Sequence, residues 1–482
     1  MTMHFSFGSG RDKSGGAGDS GGRPDDERPF RILVIGDFSG RSSRVVVEPL
    51  AGRAAHKVDL DALDALPGKL GTRVRLTTQP AVEIAVGSID DLHPDAVYDN
   101  AAVFAALRDL RARVGDPRRF ERAAEEIRGW AESRGPSAEI EAKPGGGGTP
   151  ESEFASMLGG SMGGQPGKAA ESVDALIRSM IAPYIVPDRD PRQDELIGVV
   201  EDAIAREMRA VLHCPAWQGV ESCWRSLQML VTGLELDETL ELFMLDAGIE
   251  ELRTGAGGLE HALITAPLQT AGGTPWAAVV HLRAHGAEDV GALGTLGALC
   301  HRAGAPLLTG VSAELIGAGD FSGSIDPSRW GPPSEAFADL RDAPGAEAIC
   351  VAAPGFLLRL PYGKGRDAID RFVFEETEAA PAHGSLLWGC GGVLVALLLG
   401  RAFTEAGWEF EPAGAGTVDD LPVLTLDGGR GMYPCAEAWI SDRAAGALVE
   451  RGVTALLSVQ NRGAVQVGGI RSLAGGALAC RW

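Results

Sequence analysis

Ala277-Ala278-Val279-Val280-His281-Leu282, then a helical stretch opening at Val290, then Pro306-Leu307-Leu308-Thr309: this succession decides the fold. The first and last runs are short and apolar, and turn-forming residues bound them, which suits buried strands. A helix between two strands supplies the long crossover that a parallel pair requires. Leu242 to Leu245 adds a further run upstream, so a mostly parallel α/β sheet flanked by helices is expected.

Outward from this unit, two helices are read before it. Leu196, Ile197, Val200, Ile204, Met208, Val211 and Leu212 recur at helical spacing and stop at Pro215. Trp217, Val220, Trp224, Leu227 and Val231 mark a second helix that can fold back on the first. Near the start of the chain, Ile32-Leu33-Val34-Ile35 runs into Gly36, a buried strand and a turn. Val82 to Val86 alternates like a half-buried strand. Pro94 and Asp95 suit a helix N-terminus, and Val103, Phe104, Leu107, Leu110 and Val114 form one apolar stripe after it.

Glycine punctuates the boundaries. Residues 1–27 read as a disordered polar tail and 28–130 as a first structured segment. Residues 131–171, with Gly145 to Gly148, read as a flexible linker that holds a short apolar island at Phe154 to Leu158. Residues 172–482 form the second part.

Over 482 residues the formal net charge is −22, which disfavours nucleic acid and anionic lipid as partners. The seven cysteines include no C-x-x-C pair and read as buried free thiols in a reducing compartment. The stretch from Ala379 to Gly400 carries no formal charge, but glycines break it and its dense part is shorter than the roughly 20 residues of a membrane span. It reads as a helix buried on all sides, and the chain as cytoplasmic, with no membrane insertion. Gly36-Asp37 with Ser39, and Asp90 to His93, are fragments of an esterase pattern in the wrong places. Gly159-Gly160-Ser161-Met162-Gly163 matches G-x-S-x-G inside a glycine-rich stretch, without the flanking strand and helix that a nucleophile needs. There is no phosphate-binding loop, and the nine histidines are read as showing no H-x-x-x-H or H-x-H spacing, so no metal site is expected. No catalytic, cofactor or metal residue is expected.

Two sets of motifs carry a resemblance. Arg28 to Gly40, His56 to Asp61, and Ser88-Ile89-Asp90-Asp91-Leu92-His93-Pro94-Asp95-Ala96-Val97 resemble the small subunit of the type VI secretion contractile sheath. Leu212 to Leu227, Phe356-Leu357-Leu358-Arg359-Leu360-Pro361-Tyr362-Gly363, Leu387-Trp388-Gly389, Pro434 to Glu437 and Ser441-Asp442-Arg443 resemble the large subunit, in the family's order. The stretch from Trp276 to Gly286 lacks the family's acidic-aromatic pattern. The resemblance implies one mixed sheet formed jointly by both halves, and a fused protomer that stacks helically with copies of itself. It implies as further partners an inner tube protein, baseplate components and a recycling AAA+ ATPase. Family large subunits continue beyond the point matching Arg471, so a C-terminally shortened version is expected. A non-contractile adaptor that nucleates or caps the sheath is the alternative.

The structural and interface candidates are Asp37, Phe38, Trp217, Glu221, Trp224, Arg225, Arg359, Pro361, Tyr362, Trp388, Glu437 and Asp442. Arg359, set among apolar residues, is expected to brace the core through a carboxylate, with Glu221 or Glu437 as its partner. Trp217, Trp224 and Trp388 are expected in the core.

Overall fold

The computed structural model describes residues 28–77, 82–116, 118–132, 193–322, 325–377, 381–411, 414–426 and 431–482. The expected tail, nearly all of the expected linker and the G-x-S-x-G stretch lie outside the described residues.

Among the described residues nine strands form one sheet: β1 (Phe30–Gly36), β2 (His56–Val58), β3 (Leu240–Asp246), β4 (Ala278–His285), β5 (Leu307–Val311), β6 (Ile349–Ala353), β7 (Gly416–Val418), β8 (Val453–Ser458) and β9 (Val465–Val467). Their order across the sheet is β7-β9-β8-β6-β5-β4-β1-β3-β2. The six strands from β8 to β3 run parallel, as the crossover spacing predicts, and β2, β9 and β7 close the edges antiparallel.

The position of β1 organises the molecule. This strand, from the first part of the chain, lies between two strands of the second, with Ile32 beside Leu242 on one flank and Ala278 on the other. A central strand of a parallel sheet is covered on both faces, which explains why its apolar run does not alternate. Phe30, Ile32 and Val34 enter one core, and Leu33 and Ile35 enter the other, all fully buried. Each such side chain contributes about 1.5–3 kcal/mol of burial. Aromatic groups close the start of the strand: the Phe30 ring lies 4.8 Å from Phe403, 5.4 Å from Trp408 and 6.0 Å from Trp482.

On the Phe30 face lie α1 (Ala105–Gly115), α2 (Gln193–Leu212), α3 (Pro215–Gly233) and the apolar helix Gly392–Ala406. The helices at 193 and 215 match the sequence pattern, and Pro215 takes the first helical position, where a missing N–H costs nothing. Residues 392–406 form the helix expected to be buried, and among the described residues no helix is long and apolar enough to cross a membrane. Its docking depends on Gly392, where a Cβ would meet the Thr309 backbone nitrogen at 2.6 Å. The opposite face carries Val290–Ala303, Glu335–Asp342 and Asp442–Glu450.

Among the described residues three other than glycine have positive φ, Val45, Asp420 and Asn461, and the β-branched one is strained. Val45, after the turn Arg41–Arg44, has φ 56° and ψ 40°. A β-branched residue in the left-handed region is a true outlier, at a cost of about 1–3 kcal/mol.

Candidate functional site

Two clusters of buried polar groups lie where the two parts of the chain meet. Directly beyond β1, the first part makes a tight turn. Asp37 accepts from the backbone N–H groups of Arg41 and Ser42 at 2.7 and 2.8 Å, and Ser39 gives both its backbone N–H and its hydroxyl to Asp246 of β3, at 2.9 and 2.7 Å. The Ser39 hydroxyl is thus engaged by a buried carboxylate. Arg41 reaches Asp246 at 2.8 Å, and Arg53 grips Glu251 of the second part with two bonds of 2.6 and 2.9 Å. Phe38 is buried edge-on against Trp224, whose indole N–H donates to the Phe38 carbonyl at 2.9 Å.

A second cluster joins α3 to the segment after β6. Arg359 donates to Glu221 Oε1 at 2.7 Å and to Glu376 Oε2 at 2.7 Å, and its guanidinium lies 4.2 Å from the Tyr362 ring centroid. Arg225 bonds Glu221 at 2.7 Å and the Tyr362 hydroxyl at 2.6 Å. Burial alone would raise the Glu221 carboxyl, but the charges of Arg359 and Arg225 outweigh it and hold the group below its ordinary range. Glu376 is lowered likewise: burial opposes the shift, and His213 and Arg359 drive it. The first part closes on this cluster. The His93 ring stands edge-on to Tyr362 at 5.1 Å, and Asp95 accepts from the backbone of Asp370 and Arg371 at 3.0 and 3.1 Å.

Of the twelve candidate residues, Glu221, Arg225, Arg359 and Tyr362 therefore meet in one cluster, with Pro361 buried beside them. Asp37, Phe38 and Trp224 meet in the other. Trp217 is fully buried. Trp388 is only half-buried, because it stacks on His383 at 5.1 Å, outside the main core. Glu437 does not partner Arg359: it accepts from the Gly355 N–H at 2.6 Å and stands 3.3 Å from His383. Asp442 is exposed in the first turn of its helix, away from both clusters.

The sequence reading missed three groups. Glu376, the second carboxylate on Arg359, sits in an irregular segment where no periodicity marks it. His281 and His285 do have H-x-x-x-H spacing, contrary to the reading of the histidines, and that spacing was the available signal. In a regular strand such residues lie about 13 Å apart. A break in register between Val280 and Ala284 brings His281 Nδ1 to 2.9 Å from His285 Nε2, both rings buried. Burial pushes His285 down to about 4 and His281 well below the ordinary imidazole value, so the pair is neutral at pH 7. Among the described residues no group of three or more His, Cys, Asp or Glu side chains could hold a metal. A cavity of about 170 Å³ at the C-terminal ends of β1 and β4 is lined by Asp37, Cys223, His281 and Arg283. Burial raises the Cys223 thiol far from the range of a nucleophile. These clusters tie the two parts of the chain together through hydrogen bonds and ion pairs.

Two family models match the chain. Residues 194–474 match VipB, described as EvpB/VC_A0108, tail sheath N-terminal domain. Residues 19–127 match the type VI secretion system family described as VipA, VC_A0107 or Hcp2. The chain is also similar to the type VI secretion system sheath protein TssC1 of Pseudomonas aeruginosa, at 26% identity over 339 residues, which covers 64% of this chain and 68% of the relative.

Proposed function

Because this chain belongs to the tail sheath family of type VI secretion, with small- and large-subunit parts in one polypeptide, we propose that it is the protomer of a contractile sheath. In this reading it assembles helically with its own copies around an inner tube and drives that tube outward. Baseplate components would set the start of the assembly, and a separate AAA+ ATPase would dismantle the spent state. The reading assigns no bond-making chemistry to the chain: it matches structural sheath families, and its work is mechanical.

The observation that carries the reading is the place of β1. A strand of the small-subunit part lies inside the large-subunit sheet, with seven consecutive residues paired to β3. A protomer that transmits force must not come apart between its halves, and shared backbone hydrogen bonds together with buried ion clusters resist that separation. Cryo-electron microscopy of the purified full chain, with and without an inner tube protein, tests the proposal. Helical tubes are expected. Discrete particles under both conditions would overturn it in favour of an adaptor or cap.

A further inference from the structure

The cavity of about 170 Å³ stands at a particular place in the sheet. β1 and β4 are parallel neighbours, and the helices that follow them cover opposite faces. After β1 the chain leads to α1 on the Phe30 side, and after β4 to Val290–Ala303 on the other side. Where connections part in this way, the carboxyl ends of the strands open a crevice, the usual seat of a ligand in an open α/β sheet. Asp37, one residue beyond β1, lines it together with His281 and Arg283 of β4 and with Ala216 and Gly219 near the start of α3.

The polar lining has unused capacity. His281 is 3% exposed, and its Nδ1 is taken by His285, which leaves Nε2 without a bond among the described residues. The far end of the pair sets its sense. His285 Nδ1 is buried, has no hydrogen-bond partner among the described residues and stands 3.9 Å from Asp289 Oδ2. A bare lone pair there would face a carboxylate, so Nδ1 carries the proton and Nε2 accepts from His281. His281 is then left with a lone pair on its own Nε2, a buried acceptor that calls for a donor. Asp37 adds a carboxylate whose oxygens each take one backbone N–H and can accept again. Positive groups line the same cavity: Arg283, and the first turn of α3, which has no side-chain cap and no acidic residue.

We propose that this cavity binds a small zwitterion, a molecule of α-amino acid size with a protonated amine and a carboxylate. The amine donates to His281 Nε2 and Asp37, and the carboxylate accepts from Arg283 and the N–H groups at the start of α3. An ion of one sign would leave either Asp37 or Arg283 facing its like, whereas a zwitterion answers both. Size points the same way. A cavity of about 150 Å³ accommodates benzene, so about six non-hydrogen atoms fit here, as in alanine. Val220 and Ala247 supply apolar lining for its methyl group.

The test is isothermal titration calorimetry of the purified full chain with L-alanine. Saturable binding at one site per chain is expected, with acetate and methylamine each at least tenfold weaker. Gly219→Leu is the blocking variant. A Cβ at Gly219 meets nothing within 4 Å, and leucine favours a helix over glycine, so thermal unfolding should stay at or above that of the unsubstituted chain. Its affinity for L-alanine should fall at least tenfold. No saturable binding to the unsubstituted chain would overturn the proposal, as would equal affinity for acetate or methylamine, or an affinity untouched by Gly219→Leu. Imaging for tubes does not depend on any of these results, so this site and the sheath reading fail or stand separately.

Discussion

Glu221 and Arg359 show how much a single buried charge depends on its partner. Taking two ions out of water is costly, and removal of one leaves the other uncompensated, so Arg359→Met is expected to cost about 3–5 kcal/mol in urea unfolding. The cluster also has a pH signature. Glu221 and Glu376 titrate lower in the folded chain than in the unfolded one, so their contribution is full above the unfolded value of about 4.3. It is lost as pH falls through the folded values. Wild type should therefore lose stability steeply below about pH 4, and Glu221→Gln, already destabilised at neutral pH, should show a shallower acid slope. Glu207 on α2 behaves oppositely. It is buried, its Oε1 has no partner, and burial pushes it up to about 7. The unfolded chain ionises it first, so it costs stability as pH rises from about 4.3 to 7. Glu207→Gln is expected to raise stability at pH 8 by on the order of 2–3 kcal/mol and to have little effect at pH 4, read from unfolding curves at both pH values.

At the scale of elements, the apolar helix Gly392–Ala406 is buried through side chains from Val393 to Phe403, and at its first residue it also meets backbone closely. Gly392→Val places atoms against Thr309 where a Cβ alone comes within 2.6 Å of backbone, so a loss of about 2–3 kcal/mol is expected in thermal or urea unfolding. The existence of such elements was legible in the sequence. The runs at Ile32 and Ala277 are strands, the patterns at Leu196 and Trp217 are helices, and the crossover spacing gives the parallel sheet. Their neighbours were less legible. An apolar run with no alternation says that both faces are covered, but not that β1 sits between β3 and β4. Arg359 could be read as buried because apolar residues flank it, and Glu221 could be named beside it. Glu376 could not, since an irregular segment has no period, and the His281–His285 contact depends on a strand irregularity that no local pattern announces.

For the whole molecule, the sequence suggests two parts with a glycine-rich stretch between them, whereas the sheet makes them one body. The described strands of the sheet all lie before residue 133 or after residue 192. A protease site engineered between those two positions should yield two fragments that co-elute on size exclusion without denaturant and separate only when the sheet unfolds. Elution as two independent species would contradict a shared core.

The central place of β1 also bears on how the chain is made. Its partners β3 and β4 begin at Leu240 and Ala278, roughly 200 residues or more after Gly36. At about 5–20 residues per second, a ribosome takes on the order of 10–40 s to supply the first of them. For that interval Phe30-Arg31-Ile32-Leu33-Val34-Ile35-Gly36 is an apolar segment without its strand partners. Residues far downstream add to its enclosure, because Trp482 closes over Phe30 and bonds the Ala277 carbonyl at 2.8 Å. The strand β1 is thus made well before the two strands that flank it, and its place in the sheet can be taken up only after both have emerged.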